Sequence, residues 1–151
     1  MAHRIGIIGL GKIAQDQHIP VIRANPAFEL IAVSSQRGLR VDGVPHAFKD
    51  HREMLALADL DAVAICTPPQ VRHTIAREAM EGGKHVLLEK PPTATPSELE
   101  DLRRRGERAG TVVFTAWHSQ YNRAVDEARR ALEGERVKRL LVTWKEDVRH
   151  W

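Results

Sequence analysis

Five segments of this chain are nearly uninterrupted runs of Val, Ile, Leu, Ala and Phe: Arg4–Ile8, Phe28–Ser34, Ala62–Cys66, His85–Leu88 and Val112–Ala116. A strand that alternates polar and apolar residues keeps one wet face, whereas a strand without alternation is buried on both. Helical patterns lie between them. They fall at about Ile13–Ala24, closed by Asn25-Pro26; near His51–Ala58; at Val71–Glu81, closed by Gly82-Gly83; and at Ser97–Ala109, closed by Gly110. The last opens on Thr95-Pro96-Ser97-Glu98, which predicts a capping box with proline at the first helical position. Buried strands alternating with helices imply right-handed crossovers, so the expected fold class is α/β, a doubly wound parallel sheet.

The first strand runs into Gly9-Leu10-Gly11-Lys12-Ile13-Ala14. A strand, two closely spaced glycines and a helix are how a dinucleotide-binding βα unit begins. Gly9 permits the tight turn, Gly11 lacks the Cβ that would bar a pyrophosphate from the backbone, and Ala14 lets the helix lie close to the sheet. Lys12 and Ile13 stand at the start of the helix, Lys12 just before it, and its free N–H groups aim at the phosphates. After the second strand, an NAD site carries an acidic residue for the ribose hydroxyls. Here the run is Ser34-Ser35-Gln36-Arg37. Without a carboxylate to repel it, a 2′-phosphate could take hydrogen bonds from Ser35 and charge from Arg37, with Gln36 between them and Arg40 as a second cation. The expectation is a preference for NADP, or tolerance of NAD and NADP alike. The alternative is an ordinary polar loop whose arginine faces water.

Other strand ends carry chemistry to the same edge. Thr67-Pro68-Pro69 forms a stiff loop that should border the dinucleotide. His73, in the helix that follows, reads as a packing residue. Glu89-Lys90-Pro91-Pro92 puts a charged pair at the mouth of an apolar sheet, either for function or as an ion pair closing the strand. Thr115-Ala116-Trp117-His118-Ser119 brings an indole and an imidazole, fit for a sugar or nicotinamide ring or equally for a domain-interface plug. Cys66, the only cysteine, reads as a small apolar filler and fits a reducing cytoplasm. No metal site is expected.

The formal charge of the 151 residues is +3, with 23 basic and 20 acidic residues intermingled, so nucleic acid is not an expected partner. Arg103-Arg104-Arg105 lies among Glu98, Glu100, Asp101 and Glu107, which predicts a solvated, ion-paired face. No run is long and apolar enough for a membrane. From Tyr121 the pattern changes. A helix near Asn122–Glu133 precedes Val137–Glu146, whose alternating Leu140, Val142 and Trp144 predict the first strand of a second domain. One strand cannot make a sheet, so this is expected to be the N-terminal part of a larger enzyme, with residues 1–120 as nucleotide domain and 121–151 as linker helix and entry to the next. The alternative is a strand that pairs with the nucleotide sheet or a partner chain.

Taken together, Gly9–Ala14, His18-Ile-Pro20, Cys66-Thr-Pro-Pro69, Gly83-Lys-His-Val86, Glu89-Lys-Pro91, Thr115-Ala-Trp-His118 and Trp144-Lys-Glu-Asp-Val148 resemble the glucose-fructose oxidoreductase/inositol dehydrogenase/MocA family. Trp117-His118-Ser119 and the Trp144–Val148 run look most like its branch that oxidises D-galactose or L-arabinose. The resemblance implies a Rossmann domain followed by an α+β domain whose open sheet forms a homo-oligomer interface. It implies a small-molecule sugar as partner and oxidation at the anomeric carbon of an aldopyranose, giving an aldonolactone. Lys90 would bind the reacting oxygen as the catalytic residue and, with Glu89, border the cofactor, while His118, Glu146 and Trp151 would touch the sugar. A cis peptide before Pro91 is also implied. The rival reading is a non-enzymatic nucleotide-binding module or cofactor sensor.

Overall fold

The computed structural model describes residues 1–143 and 145. It divides into two units, residues 1–117 and 118–151. In the first, β1 (His3–Ile8) leads through a π-helical turn (Ala14–His18) into α1 (Ile19–Ala24), β2 (Phe28–Ser34), β3 (His46–Phe48) and α2 (His51–Leu55). Then come β4 (Ala62–Ile65), α3 (Pro69–Glu81), β5 (His85–Leu88), α4 (Pro96–Ala109) and β6 (Val113–Thr115).

All six strands are parallel, in the order β3-β2-β1-β4-β5-β6. The chain leaves β1 toward one edge and, after β3, returns to build the other edge from β4. That reversal, between β1 and β4, is where the loops diverge and a crevice opens.

Strand residues alternate between two cores, as continuous apolar runs must when both faces are covered. Ile5, Ile7, Leu30 and Val33 meet Ala14, Ile19 and Ile22 on one face. Ile8, Val63, Ile65, Val86 and Leu88 meet Met54, Ile75, Met80 and Leu102 on the other. Ala14 is wholly buried, the close approach its small side chain permits. The capping box forms, with Thr95 Oγ1 accepting from Glu98 N and the Glu98 carboxylate accepting from Thr95 N. Gly110, at φ 68°, ends the same helix in the left-handed region. Arg103, Arg104 and Arg105 pair with Glu100, Glu107 and Asp101 on the outer face of α4.

Two features depart from the sequence expectation. β3 escapes the pattern reading because it is three residues long and only its last residue, Phe48, is large and apolar. Residues 137–143 carry no strand. Their alternation is sound, but a ladder needs a neighbour, and one strand by itself has none. The second unit has a short 3₁₀ turn (His118–Tyr121) and α5 (Arg123–Leu132), which buries no residue. Among the described residues no helix is long and apolar enough to cross a membrane.

Candidate dinucleotide-binding site

The loops after β1, β2 and β4 line one cleft of about 770 Å³ at the carboxyl edge of the sheet. Gly9 and Gly11 line its middle, Ser35, Gln36 and Arg37 the β2 side, and Thr67 and Pro68 the β4 side. The two glycines do different work. Gly9 sits at φ +92°, and a Cβ there would stand 3.0 Å from the Thr67 backbone nitrogen and methyl carbon. Only glycine joins that backbone to that neighbour. The loop is tied on both sides, since Gly9 N donates to Ser34 O (2.9 Å) and Cys66 N to Ile8 O (2.8 Å). A Cβ on Gly11 meets nothing within 4 Å, so its absence serves the open space in front of it and not the fold.

On the β2 side, Ser35 is nearly buried and its N–H donates to Phe48 O (3.0 Å). Gly38 N donates back to Ser35 O (2.7 Å), closing a tight turn that carries Gln36 and Arg37 outward. Arg40 is exposed and lies outside the cleft wall. The wall also holds Lys49, His51 and Arg52, none of which the sequence reading singled out. His51 Nε2 lies 2.6 Å from Glu78 Oε2, and Arg52 Nη2 donates to Glu78 Oε1 (3.0 Å), tying α2 to α3. Partial burial works against the Glu78 charge, but the His51 and Arg52 hydrogen bonds prevail and hold its pKa below the usual value.

A second cluster stands at the end of β5. The Glu89 carboxylate, almost fully buried, approaches His18 Nε2 through Oε1 (2.7 Å) and accepts Lys90 N–H through Oε2 (3.1 Å). His18 closes the π-helical turn, so that turn and β5 are joined through Glu89. Arg72, on α3 and 3% exposed, donates to the carbonyl oxygens of Thr67, Glu89 and Pro91. Burial lowers the Arg72 pKa. The Lys90–Pro91 bond is cis. Lys90 itself is exposed, and among the described residues its ammonium makes no ion pair. The ion pair considered between Glu89 and Lys90 therefore does not form, because the carboxylate is already held by His18.

The remaining candidates fall outside these clusters. Lys12, exposed at the helix start, pairs with Asp16, and neither it nor Ile13 lines the cleft. His73 Nε2 lies 2.9 Å from Asp101, which also accepts from Arg105, so His73 packs α3 on α4. Burial, reinforced by the Glu89 charge, pushes the Cys66 thiol up to about 12, the state of an inert filler. His118 is exposed in the second unit, and Glu146 and Trp151 lie outside the described residues.

Residues 3–117 match the Gfo/Idh/MocA family model, described as an oxidoreductase family with an NAD-binding Rossmann fold. The chain belongs to this family. Galactose 1-dehydrogenase of Pseudomonas fluorescens is 42% identical over 149 residues, covering 98% of this chain and 47% of that protein. The crystal structure of D-galactose-1-dehydrogenase from Rhizobium etli superposes with a TM-score of 0.91 at 44% identity, over 99% of this chain and 48% of the other. A 3-ketoreductase from Actinomadura kijaniata, solved with TDP-benzene and NADP, matches at TM-score 0.80 and 25% identity, over 89% and 44%. The chain thus spans about half the length of the relatives it matches.

The NAD(P) that this Gfo/Idh/MocA fold implies fits the residues present. Gly11 leaves open the volume a pyrophosphate needs, and among the described residues Thr67 Oγ1 is buried at the cleft without a hydrogen-bond partner. Of the cleft-lining residues, Gly9, Gly11, Thr67 and Pro68 would hold the diphosphate side of such a group, and Ser35 and Arg37 its adenosine side. The sequence reading quoted His18 within a family segment but gave it no role and did not single out Arg72, because their partners lie 71 and up to 19 residues away. The one signal was the residue type, a histidine and an arginine on helices facing an otherwise apolar sheet.

Proposed function

We propose that this chain is the dinucleotide-binding part of a sugar 1-dehydrogenase that oxidises an aldopyranose such as D-galactose or L-arabinose at C1 to an aldonolactone. The observation that carries the reading is the cleft, glycine-floored at the strand-order reversal, in a chain 42% identical to a galactose 1-dehydrogenase. When bound, the nicotinamide supplies the hydride acceptor. NADP is the preferred cofactor in this reading, supported by Ser35 and Arg37 where an NAD site carries a carboxylate. In a full-length protein, residues from 121 onward would lead into an α+β domain that also serves homo-oligomer formation in the cytoplasm.

Lys90 is the residue proposed to act on substrate. It stands at the carboxyl end of β5 with an ammonium that no carboxylate engages among the described residues, while Glu89 and Arg72 hold the backbone on either side of it. Such a cation would bind the reacting hydroxyl oxygen and stabilise negative charge growing on it. The sugar contacts at His118, Glu146 and Trp151 rest on the family resemblance.

The test is nicotinamide reduction by the full-length polypeptide across a panel of aldoses with NAD and with NADP. Turnover of galactose or arabinose, abolished by Lys90→Ala with cofactor affinity retained, is expected. Tight cofactor binding with no aldose oxidised would replace the enzyme with a nucleotide-binding module.

A further inference from the structure

The loop that lacks a carboxylate carries one cation in the cleft wall, Arg37, because Arg40 lies outside it. A 2′-phosphate is close to a dianion at neutral pH and is best held by two cations. We propose that the second is Lys49, so that selection of a 2′-phosphorylated nucleotide is shared between the loops after β2 and β3. This rests on the dinucleotide reading above.

Register places Lys49 there. β2 and β3 run parallel with Ser34 opposite Phe48, so the next residues, Ser35 and Lys49, leave the sheet side by side. The Ser35 N–H to Phe48 O bond fixes that adjacency. The turn from Ser35 to Gly38 then doubles back under the lysine. A Cβ on Gly38, which sits at φ +68°, would stand 3.1 Å from Lys49 Cε and 3.8 Å from Cγ. The lysine stem therefore lies across the turn that presents Arg37, and the absent side chain at Gly38 makes room for it.

The neighbouring charges leave both cations available. Among the described residues neither Arg37 nor Lys49 is in an ion pair, and no Asp or Glu lines the cleft. The third cation of the wall, Arg52, is held by Glu78 (3.0 Å) and Asp50 (3.6 Å). Asp50, next to Lys49 in sequence, turns its carboxylate to the Arg52 N–H at the start of α2 (2.9 Å), and that bond, with the Arg52 charge, keeps its pKa low. The two cations are chemically unlike. Arg37 offers a directional fork and Lys49 a point charge, which together suit a phosphate that needs both orientation and neutralisation.

The experiment is calorimetric titration of the full-length polypeptide with NADP, NAD, adenosine 2′,5′-bisphosphate and ADP, for wild type and for Lys49→Ala, Lys49→Arg, Arg37→Ala and Arg40→Ala. Lys49→Ala is expected to weaken both 2′-phosphorylated ligands about tenfold at low salt and the other two by less than about twofold. The gap should narrow as ionic strength rises, Lys49→Arg should recover most of the loss, and Arg40→Ala should change nothing. If Lys49→Ala weakens all four ligands equally, or none, the assignment fails. If Arg37→Ala alone collapses the discrimination, Lys49 falls while the NADP reading stands. A wild type that binds the bisphosphate no better than ADP removes both.

Discussion

Gly9 and Gly11 are two residues apart in one loop, yet the same substitution should fail in opposite ways. Alanine at Gly9 must adopt φ near +92° and meet Thr67 backbone at 3.0 Å, so Gly9→Ala is expected to cost about 2 kcal/mol, read as a lower denaturation midpoint at unchanged slope. Alanine at Gly11 meets nothing, so stability should stay within about 0.5 kcal/mol while dinucleotide affinity falls more than about tenfold. Calorimetry on the two variants separates fold from ligand space, and a Gly11→Ala protein that binds normally would take the pyrophosphate away from that turn. Arg72 is the complementary case of a buried charge justified by what it satisfies. It caps three carbonyls in the loops after β4 and β5, so Arg72→Leu should cost about 3 kcal/mol by leaving acceptors orphaned, and Arg72→Lys, with fewer donors and no fork, an intermediate amount. Equal denaturation midpoints for the lysine variant and wild type would show that charge alone suffices.

Elements were legible where one period dominated. β2 and β5 fall on the residues expected, because a strand buried on both faces needs no more than a continuous apolar run and a breaker at each end. β3 and the π-helical turn were not legible, for the opposite reason: each owes its form to what it lies against. β3 is three residues held by the edge of β2, and the π-helical turn ends on a histidine whose carboxylate partner, Glu89, directly follows β5. The cleft glycines and Ser35–Arg37 were readable because turn chemistry is local, whereas Lys49 became visible only through the pairing of β3. The tie between α2 and α3 is another contact of this kind and has a pH signature. Despite burial, hydrogen bonds from His51 and Arg52 hold the folded-state pKa of Glu78 below the ordinary glutamate value. Its contribution is therefore present above the unfolded value near 4.3 and lost as pH falls through the lower folded one. Glu78→Gln should be less stable than wild type by about 1 kcal/mol at neutral pH, and the difference should shrink steadily as pH falls below the ordinary glutamate range and through the lowered folded value. A difference that persists undiminished at acid pH would assign Glu78 a packing role only.

For the chain as a whole, stability should be unevenly shared between its two units. The first holds both apolar cores, with β1 and β4 at the centre of a six-stranded parallel sheet whose ladder bonds are sealed under helices on either face. Amides there can exchange only when the unit opens as a whole. The second has a helix of ten residues, α5, that buries none of them, and exposed Leu132, Val137, Leu140, Leu141 and Val142. A helix of that length without tertiary burial is marginal in water, since nucleation is unfavourable and propagation over so few residues barely offsets it. Native-state hydrogen exchange on the 151-residue chain is therefore expected to show β1, β4 and β5 amides protected to the global unfolding free energy, and α5 amides protected by less than about 1 kcal/mol. Saturating NADP should raise protection of the first group by the binding free energy and leave α5 where it was, because a ligand stabilises only what must unfold to release it. Protection of α5 rising in step with the sheet would mean that the two units open as one.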